Sequence, residues 1–147
     1  CWCNWCCNNR YIKGSNMIMI TAFYASLLGL IYIKLSKNII KLRRKYKVSL
    51  GHNNHSDLEQ AIRAHANFAE FVPIGLILLV CLEVNKIHFI VVLLLGGLFF
   101  IGRIFHAKSF LKDEIDLPLR VKGMQLTFWS IILMSGMNLF SLLVSFF

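Results

Sequence analysis

The sequence predicts an all-α fold, an integral membrane bundle of four helices. Of its 147 residues, 57% are hydrophobic and only 16% are charged, which is less charge than soluble domains of this size carry. The apolar residues are also collected in long blocks, and a spanning helix needs about 20 of them. The basic residues lie mainly in the connections between those blocks. Residues 17–147 are therefore expected to form a single transmembrane domain.

Helix one is predicted over residues 17–46. Residues 17–33 contain no charged side chain and form its spanning part. From Lys34 onward the helix becomes basic and amphipathic. We expect this end to lie along the membrane surface, where its cations are close to anionic lipid headgroups.

Helix two is predicted over residues 57–83. The sequence Ser56-Asp-Leu-Glu59 is typical of a capping box, in which the Ser56 hydroxyl and the Glu59 carboxylate bond free backbone amides. At about 1.5 Å per residue the helix is about 40 Å long, which exceeds the thickness of the hydrocarbon core. Its first turns are therefore expected in the headgroup layer.

Helices three and four complete the bundle, over about residues 87–107 and 118–145. Gly96 and Gly97 would allow a neighbouring backbone to approach helix three closely. Pro118 suits the first turn of helix four. Small polar side chains along helix four are expected to mediate helix packing; they are Gln125, Thr127, Ser130, Ser135, Asn138 and Ser141.

The net charge of +9 is distributed asymmetrically. Basic residues are dense in the first and third connections, whereas the connection at residues 83–86 carries little charge. By the positive-inside rule, loops one and three are cytoplasmic and both termini lie on the other side of the membrane. Nucleic acid is not expected as a partner, because no folded basic face remains outside the membrane.

Residues 1–16 are expected to be a poorly ordered extension that precedes a natural start at Met17. Four of the five cysteines lie there, and a metal or redox cluster is the alternative. Their spacing fits no zinc pattern of paired ligands. His52 and His55 are three residues apart but have no third ligand at helical spacing, so no metal site is predicted. Cys81 is expected to be a small buried hydrophobic residue.

Three polar side chains on helix two form the main candidate site. Arg63, Asn67 and Glu70 are spaced i, i+4, i+7 and share one helix face where the helix enters the membrane. An arginine fork, an amide and a carboxylate together suit a zwitterionic peptide or amino-acid derivative. The same side chains could instead pair along the helix as a buried structural network. The sequence leaves both interpretations open.

Other polar groups are expected at the same membrane face. Arg103, His106 and Arg120 would lie there, and the positive charge of Arg120 would favour the thiolate form of a bound thiol. Arg63, Asn67 and Glu70 are called the helix-two stripe below. His65 points away from this stripe, so it is expected to be a packing or interfacial group.

The run from Arg63 to Pro73 resembles the helix-two motif of the MAPEG family (membrane-associated proteins in eicosanoid and glutathione metabolism), especially its small bacterial branch. The matching residues are Arg63, Asn67, Glu70, the aromatic Phe71 and Pro73. Four apolar segments, a basic first loop and the Gly-Arg-Ile-Phe-His sequence at residues 102–106 strengthen the likeness, which covers residues 17–147. It implies a homotrimer in the bacterial inner membrane, with glutathione bound as co-substrate between neighbouring subunits.

The resemblance also assigns roles to individual residues. It implies that Arg63, Asn67 and Glu70 hold the glutathione peptide, with Arg103 at the same site. Arg43 would contribute from the adjacent subunit. Arg120 would activate the thiol, and lipophilic electrophiles would enter from the bilayer.

Three positions depart from the pattern of the glutathione-using members. Phe71 and Phe110 stand where tyrosines are common, and His65 stands where some members have glutamine. Two hypotheses therefore remain open: a glutathione-dependent transferase or peroxidase, or a non-enzymatic protein that binds lipids or a partner. A transport role is disfavoured because helices three and four lack a continuous polar path.

Overall fold

The computed structural model describes residues 18–110 and 116–146, and its elements are four α-helices. They are α1 (Met19–Tyr46), α2 (Ser56–Val84), α3 (Phe89–Lys108) and α4 (Leu117–Phe146). All four are long and apolar enough to cross a membrane, so the predicted all-α membrane bundle is confirmed. The predicted extension at residues 1–16 and part of the third loop lie outside the described residues.

The bundle buries a narrow apolar core and exposes broad apolar surfaces. Leu28, Phe68, Leu82, Val92 and Met134 are at most 1% exposed and meet at its centre. Many large apolar side chains on the outside of α1 and α4 are exposed instead, which suits contact with lipid or another subunit rather than water; they include Phe23, Leu30, Trp129, Ile132, Leu139 and Phe140.

Helices α3 and α4 touch through their backbones at two glycines. A Cβ atom added to Gly123 would lie 2.5 Å from the His106 amide nitrogen and 2.9 Å from the Gly102 carbonyl oxygen. One added to Gly102 would lie 2.9 Å from the Thr127 amide nitrogen. No side chain fits in this crossing, and small residues permit the same close approach in membrane helix pairs generally.

Tyr24 joins α1 to α3. Its ring covers Gly96, where a Cβ atom would collide with it, and its hydroxyl donates a hydrogen bond of 2.9 Å to the Leu93 carbonyl. Gly97 lies beside the same hydroxyl. The prediction that a neighbouring backbone approaches these glycines is therefore wrong, because the side chain of Tyr24 occupies that space.

Polar side chains of α4 take part in helix packing, as predicted. Asn138 donates to the Leu78 carbonyl of α2 at 3.1 Å and accepts a hydrogen bond from the Asn85 side chain at 3.1 Å. Thr127 and Ser130 are fully buried and bond carbonyls of their own helix. These bonds satisfy polar groups inside an apolar bundle, where an unpaired group is costly. Gln125, in contrast, is exposed.

The capping box predicted at residues 56–59 is wrong. Helix α2 begins at Ser56 itself, and its N-cap residue is His55, which makes no side-chain capping bond. The Asp57 carboxylate instead accepts a hydrogen bond of 2.6 Å from the Tyr46 hydroxyl, and the Tyr46 ring stacks on His55. These contacts across the loop fix the start of α2, so the serine hydroxyl is not needed there.

Cys81 is exposed, not buried as predicted. It lies on the apolar outer surface of α2. A small apolar side chain on that surface is as compatible with lipid as with a protein core, so hydrophobicity alone did not reveal its position.

A carboxylate from α2 caps α1. Glu83 is only 8% exposed, and its two side-chain oxygens accept hydrogen bonds of 3.0 Å from the backbone amides of Ile20 and Thr21. The N-cap residue of α1, Ile18, has no side chain that can do this. The first amides of a helix lack partners within the helix and carry partial positive charge, so a distant glutamate supplies what the local sequence does not.

We expect Glu83→Ala to destabilise the protein by about 1–3 kcal/mol, since it leaves two buried amides without acceptors. Glu83→Gln should fall between the wild type and Glu83→Ala, because one amide oxygen can still accept. Thermal unfolding in detergent, followed by circular dichroism, measures both changes. Glu59→Ala, on the same helix, is the control and should change little; an equal loss in that variant would contradict the capping role.

Candidate functional site

A buried arginine lies at the centre of the candidate site. Arg103, near the C-terminal end of α3, is 0% exposed. Its Nη2 atom donates a hydrogen bond of 2.8 Å to the Asn67 side-chain oxygen. Its guanidinium carbon lies 5.4 Å from the ring centres of both Phe68 and Phe71, within the range of cation–π attraction. One polar bond and two aromatic faces thus hold the cation between α2 and α3.

Much of the hydrogen-bonding capacity of Arg103 is unused. Its Nε and Nη1 atoms are buried and have no partner among the described residues. Burying a cation without full hydrogen bonding is costly. A planar guanidinium with free donors is well suited to bind a carboxylate. Arg103 therefore keeps hydrogen-bond donors that no described residue of this chain satisfies.

A second cluster lies one turn further along α3. His106 is buried and its ring lies 5.3 Å from that of Phe110, while the Arg120 guanidinium lies 5.0 Å from the same Phe110 ring. The His106 Nδ1 atom has no partner among the described residues. Arg103, His106 and Arg120 therefore occupy the same end of the bundle, as expected from the sequence.

The start of α4 fixes the position of Arg120. The Asp116 amide donates to the Ser109 carbonyl at 3.2 Å, which draws the beginning of α4 to the end of α3. The Asp116 side chain accepts a hydrogen bond from the Leu119 amide, and the Arg120 amide bonds the Asp116 carbonyl. Asp116 thus caps α4, and Pro118 lies in its first turn as predicted.

The helix-two stripe is divided in the protomer. Arg63 and Glu70 are exposed, and neither forms an ion pair with any residue that the structure describes. Asn67 is half-buried and bonds Arg103. The alternative in which these three side chains pair along the helix as a buried network is therefore not formed here. Two of them remain free for a ligand or a neighbouring subunit.

Arg43 lies apart from these clusters. Its Nη1 atom donates a hydrogen bond of 2.9 Å to the Ser49 carbonyl, which helps close the first loop. Within one protomer the structure thus joins Asn67 to Arg103 and places Arg120 with His106. Among the described residues, Arg43, Arg63 and Glu70 form no hydrogen bond or ion pair with them.

Sequence reasoning did not identify the aromatic surroundings of Arg103. Phe68 is 1% exposed and Phe71 packs against Phe128. In the sequence Phe68 resembles an ordinary apolar residue, and Phe71 is marked only as the aromatic residue of the family motif, without any indication that it contacts Arg103. His65 lies off the stripe as predicted, with its Nε2 atom 2.9 Å from the Ser36 hydroxyl and its ring on Tyr32.

The fold and these clusters define a multi-pass integral membrane protein with a buried basic site at one end of a four-helix bundle. The model of the MAPEG family matches residues 21–140, and the chain belongs to that family. It is similar to the inner membrane protein YecN of Escherichia coli (strain K12), with 33% identity over 121 residues, covering 82% of this chain and 91% of that protein. The protein of the same name in Escherichia coli O6:H1 (strain CFT073) matches equally.

Two substitutions distinguish a structural from a ligand-binding role for Arg103. Asn67→Ala should destabilise the protein by about 2–4 kcal/mol, because it removes the hydrogen bond that a buried cation makes to the Asn67 side chain. Arg103→Met should cost much less, since an apolar side chain of similar volume removes the charge altogether. Thermal unfolding of both variants without ligand tests this. A larger loss for Arg103→Met would mean that the arginine itself holds the bundle together.

Proposed function

We propose that this protein is a membrane-bound, glutathione-dependent transferase or peroxidase that acts on lipophilic electrophiles. The observation that carries the proposal is the buried guanidinium of Arg103, whose Nε and Nη1 donors have no partner among the described residues. A carboxylate of the tripeptide would supply an acceptor for one of these donors. Such a group offers planar, paired oxygens that match the arginine fork.

The unpaired side chains of the stripe support the same ligand. Glutathione carries two carboxylates and one ammonium group, so Arg63 could bind a carboxylate and Glu70 the ammonium. Asn67 already orients Arg103 and retains its amide donors for a ligand. These three side chains with Arg103 would hold the peptide at the membrane surface.

A homotrimer would complete this site. Arg63 and Glu70 are exposed on a spanning helix, and charged groups in that setting are usually covered by protein or face a water-filled cavity. A neighbouring subunit packed against α2 would cover them, and its Arg43 could reach the same ligand. Arg43 is held at the start of the first loop by its bond to Ser49, at the end of the bundle that contains Arg103.

The chemistry would rest on electrostatic stabilisation of a thiolate. Arg120 would hold the thiol sulfur in its deprotonated form. The thiolate would then attack an electrophilic carbon and expel a leaving group. With a hydroperoxide it would instead attack the terminal oxygen, which gives the sulfenic acid of glutathione and an alkoxide that takes a proton to become the alcohol. A second glutathione would reduce the sulfenic acid, with the disulfide and water as products. Phe71 and Phe110 offer no hydroxyl to the sulfur, so Arg120 would supply the main stabilising charge.

A non-enzymatic role in lipid or partner binding is the second candidate. The observation that favours it is that Phe71 and Phe110 place apolar rings, without hydroxyls, beside Arg103 and Arg120. In that case the basic cluster would stabilise assembly, and bound lipid or protein would replace a thiol substrate.

The proposed location is the bacterial inner membrane, with loops one and three in the cytoplasm. The name of the Escherichia coli relatives and the concentration of basic residues at one end of the bundle support it. The site would then face the compartment that contains reduced glutathione.

Arg63→Ala should weaken glutathione binding at least about tenfold, because one charge-assisted bond contributes about 1.5–3 kcal/mol. Titration calorimetry on the purified protein in detergent measures the dissociation constant. Arg44→Ala, which removes an exposed arginine from α1, is the matched control and should bind normally. No binding by a folded wild-type protein would favour the non-enzymatic candidate.

Arg120→Ala should lower turnover about ten- to a hundredfold while glutathione binding largely persists, since its charge would act on the developing thiolate. A spectrophotometric assay with an aromatic halide as electrophile, at saturating glutathione, measures this. Lys122→Ala removes a neighbouring exposed cation of α4 and serves as the control. Parallel loss of binding and turnover in Arg120→Ala would contradict the catalytic role.

A further inference from the structure

A cleft lies between α1 and α3, at the same end of the bundle as Arg103. Its volume is about 470 Å³. None of the side chains assigned to the glutathione site lines it. Its walls come from the second half of α1 and from the last turns of α3, so it opens at the level where the apolar part of the bundle gives way to the basic loops.

The rim of this cleft is strongly cationic. Lys34, Lys37, Lys41 and Lys108 line it, and no described acidic side chain does. None of the four forms an ion pair with a described residue. The three lysines of α1 are three, four and seven residues apart, so they share one helix face, where like charges repel one another. An anion between them would relieve that repulsion.

Apart from the four lysines and Asn38, the side chains that line the cleft are apolar and form its floor. It includes Ile31, the buried Leu35 and, from α3, Ile104 and Ala107. Lysine stems can extend along such a surface and keep their ammonium groups at the polar boundary. The cleft therefore has a cationic rim at headgroup level above an apolar groove, which is the complement of an anionic amphiphile.

We propose that this cleft binds an acidic phospholipid of the surrounding bilayer. The phosphate lies among the four lysines, and one acyl chain follows the apolar floor. A soluble anion would leave that floor uncovered. The inference does not depend on whether the protein uses glutathione.

Binding of single lipids to the purified protein tests the assignment, by native mass spectrometry with phosphatidylglycerol and phosphatidylcholine of the same chain length. The wild-type protein should prefer phosphatidylglycerol. Lys37→Gln combined with Lys41→Gln should weaken its binding about tenfold, since each lysine near a headgroup contributes measurably. Arg44→Gln combined with Lys122→Gln removes the same charge outside the cleft and should bind normally. Equal losses in the two double variants, or no preference in the wild type, would overturn the proposal.

Lysine reactivity in the wild-type protein gives a test that needs no variant. In nanodiscs of phosphatidylglycerol, the four cleft lysines should be acylated several-fold more slowly than in nanodiscs of phosphatidylcholine, while Lys47 and Lys122 should change much less. Equal protection in both lipids would indicate that a second copy covers the cleft. Uniform protection of all lysines would indicate general surface attraction, and protection by inorganic phosphate alone would indicate a soluble anion. Each of these outcomes contradicts the assignment.

Discussion

The backbone contact between Gly102 and Gly123 is the constraint on which the candidate site depends. It brings α3 and α4 so close that a Cβ atom at either glycine would meet backbone atoms of the other helix. Arg103 directly follows Gly102, and His106 provides the amide that lies against Gly123. The same contact therefore places Arg103 and His106 inside the bundle and brings the first turn of α4, with Arg120, beside them.

The two ends of the bundle use polar groups differently. At the end away from the basic loops, Glu83 and Asn138 bond backbone groups, so their hydrogen bonds are satisfied within the described protomer. At the basic end, Arg103 and His106 retain buried nitrogen atoms without partners. The Thr21 hydroxyl at the first end is also buried without a partner among the described residues. The two ends therefore differ in charge: the basic end leaves a buried cation incompletely hydrogen-bonded, which is the costlier condition.

The sequence predicted the fold well because long apolar blocks have few alternatives in a bilayer. Helix number and approximate bounds followed from length and charge, whereas the backbone approach expected at Gly96 is replaced by the Tyr24 side chain. The polar contacts were less predictable. Glu83 lies at the end of α2, beside a connection with little charge, and its partners are 62 and 63 residues away in the chain. No local pattern encodes such a bond, and the capping box at Ser56 failed because Tyr46 and His55 fix that turn through tertiary contacts.

For the candidate site, the sequence identified the polar residues but not which of them face the interior of the bundle and which face outward. Spacing placed Arg63, Asn67 and Glu70 on one face of α2, yet only Asn67 turns toward α3. Asn67 is the residue that turns inward because Arg103 lies opposite it on α3. The periodicity of α2 alone does not contain the position of Arg103. The aromatic rings around Arg103 were likewise not predicted, because Phe68 resembles any other apolar residue and the family motif marks Phe71 without indicating its contact with Arg103.

The cap that Glu83 provides for α1 has a consequence for biosynthesis. The N-terminal amides of α1 are synthesised first, but the glutamate that satisfies them is the penultimate residue of α2. Helix α1 can therefore reach its final hydrogen-bonded state only after nearly all of α2 has been translated. The α1–α2 hairpin, rather than α1 alone, is then the smallest part of the chain that can leave the insertion machinery with both of these amides satisfied inside the bilayer.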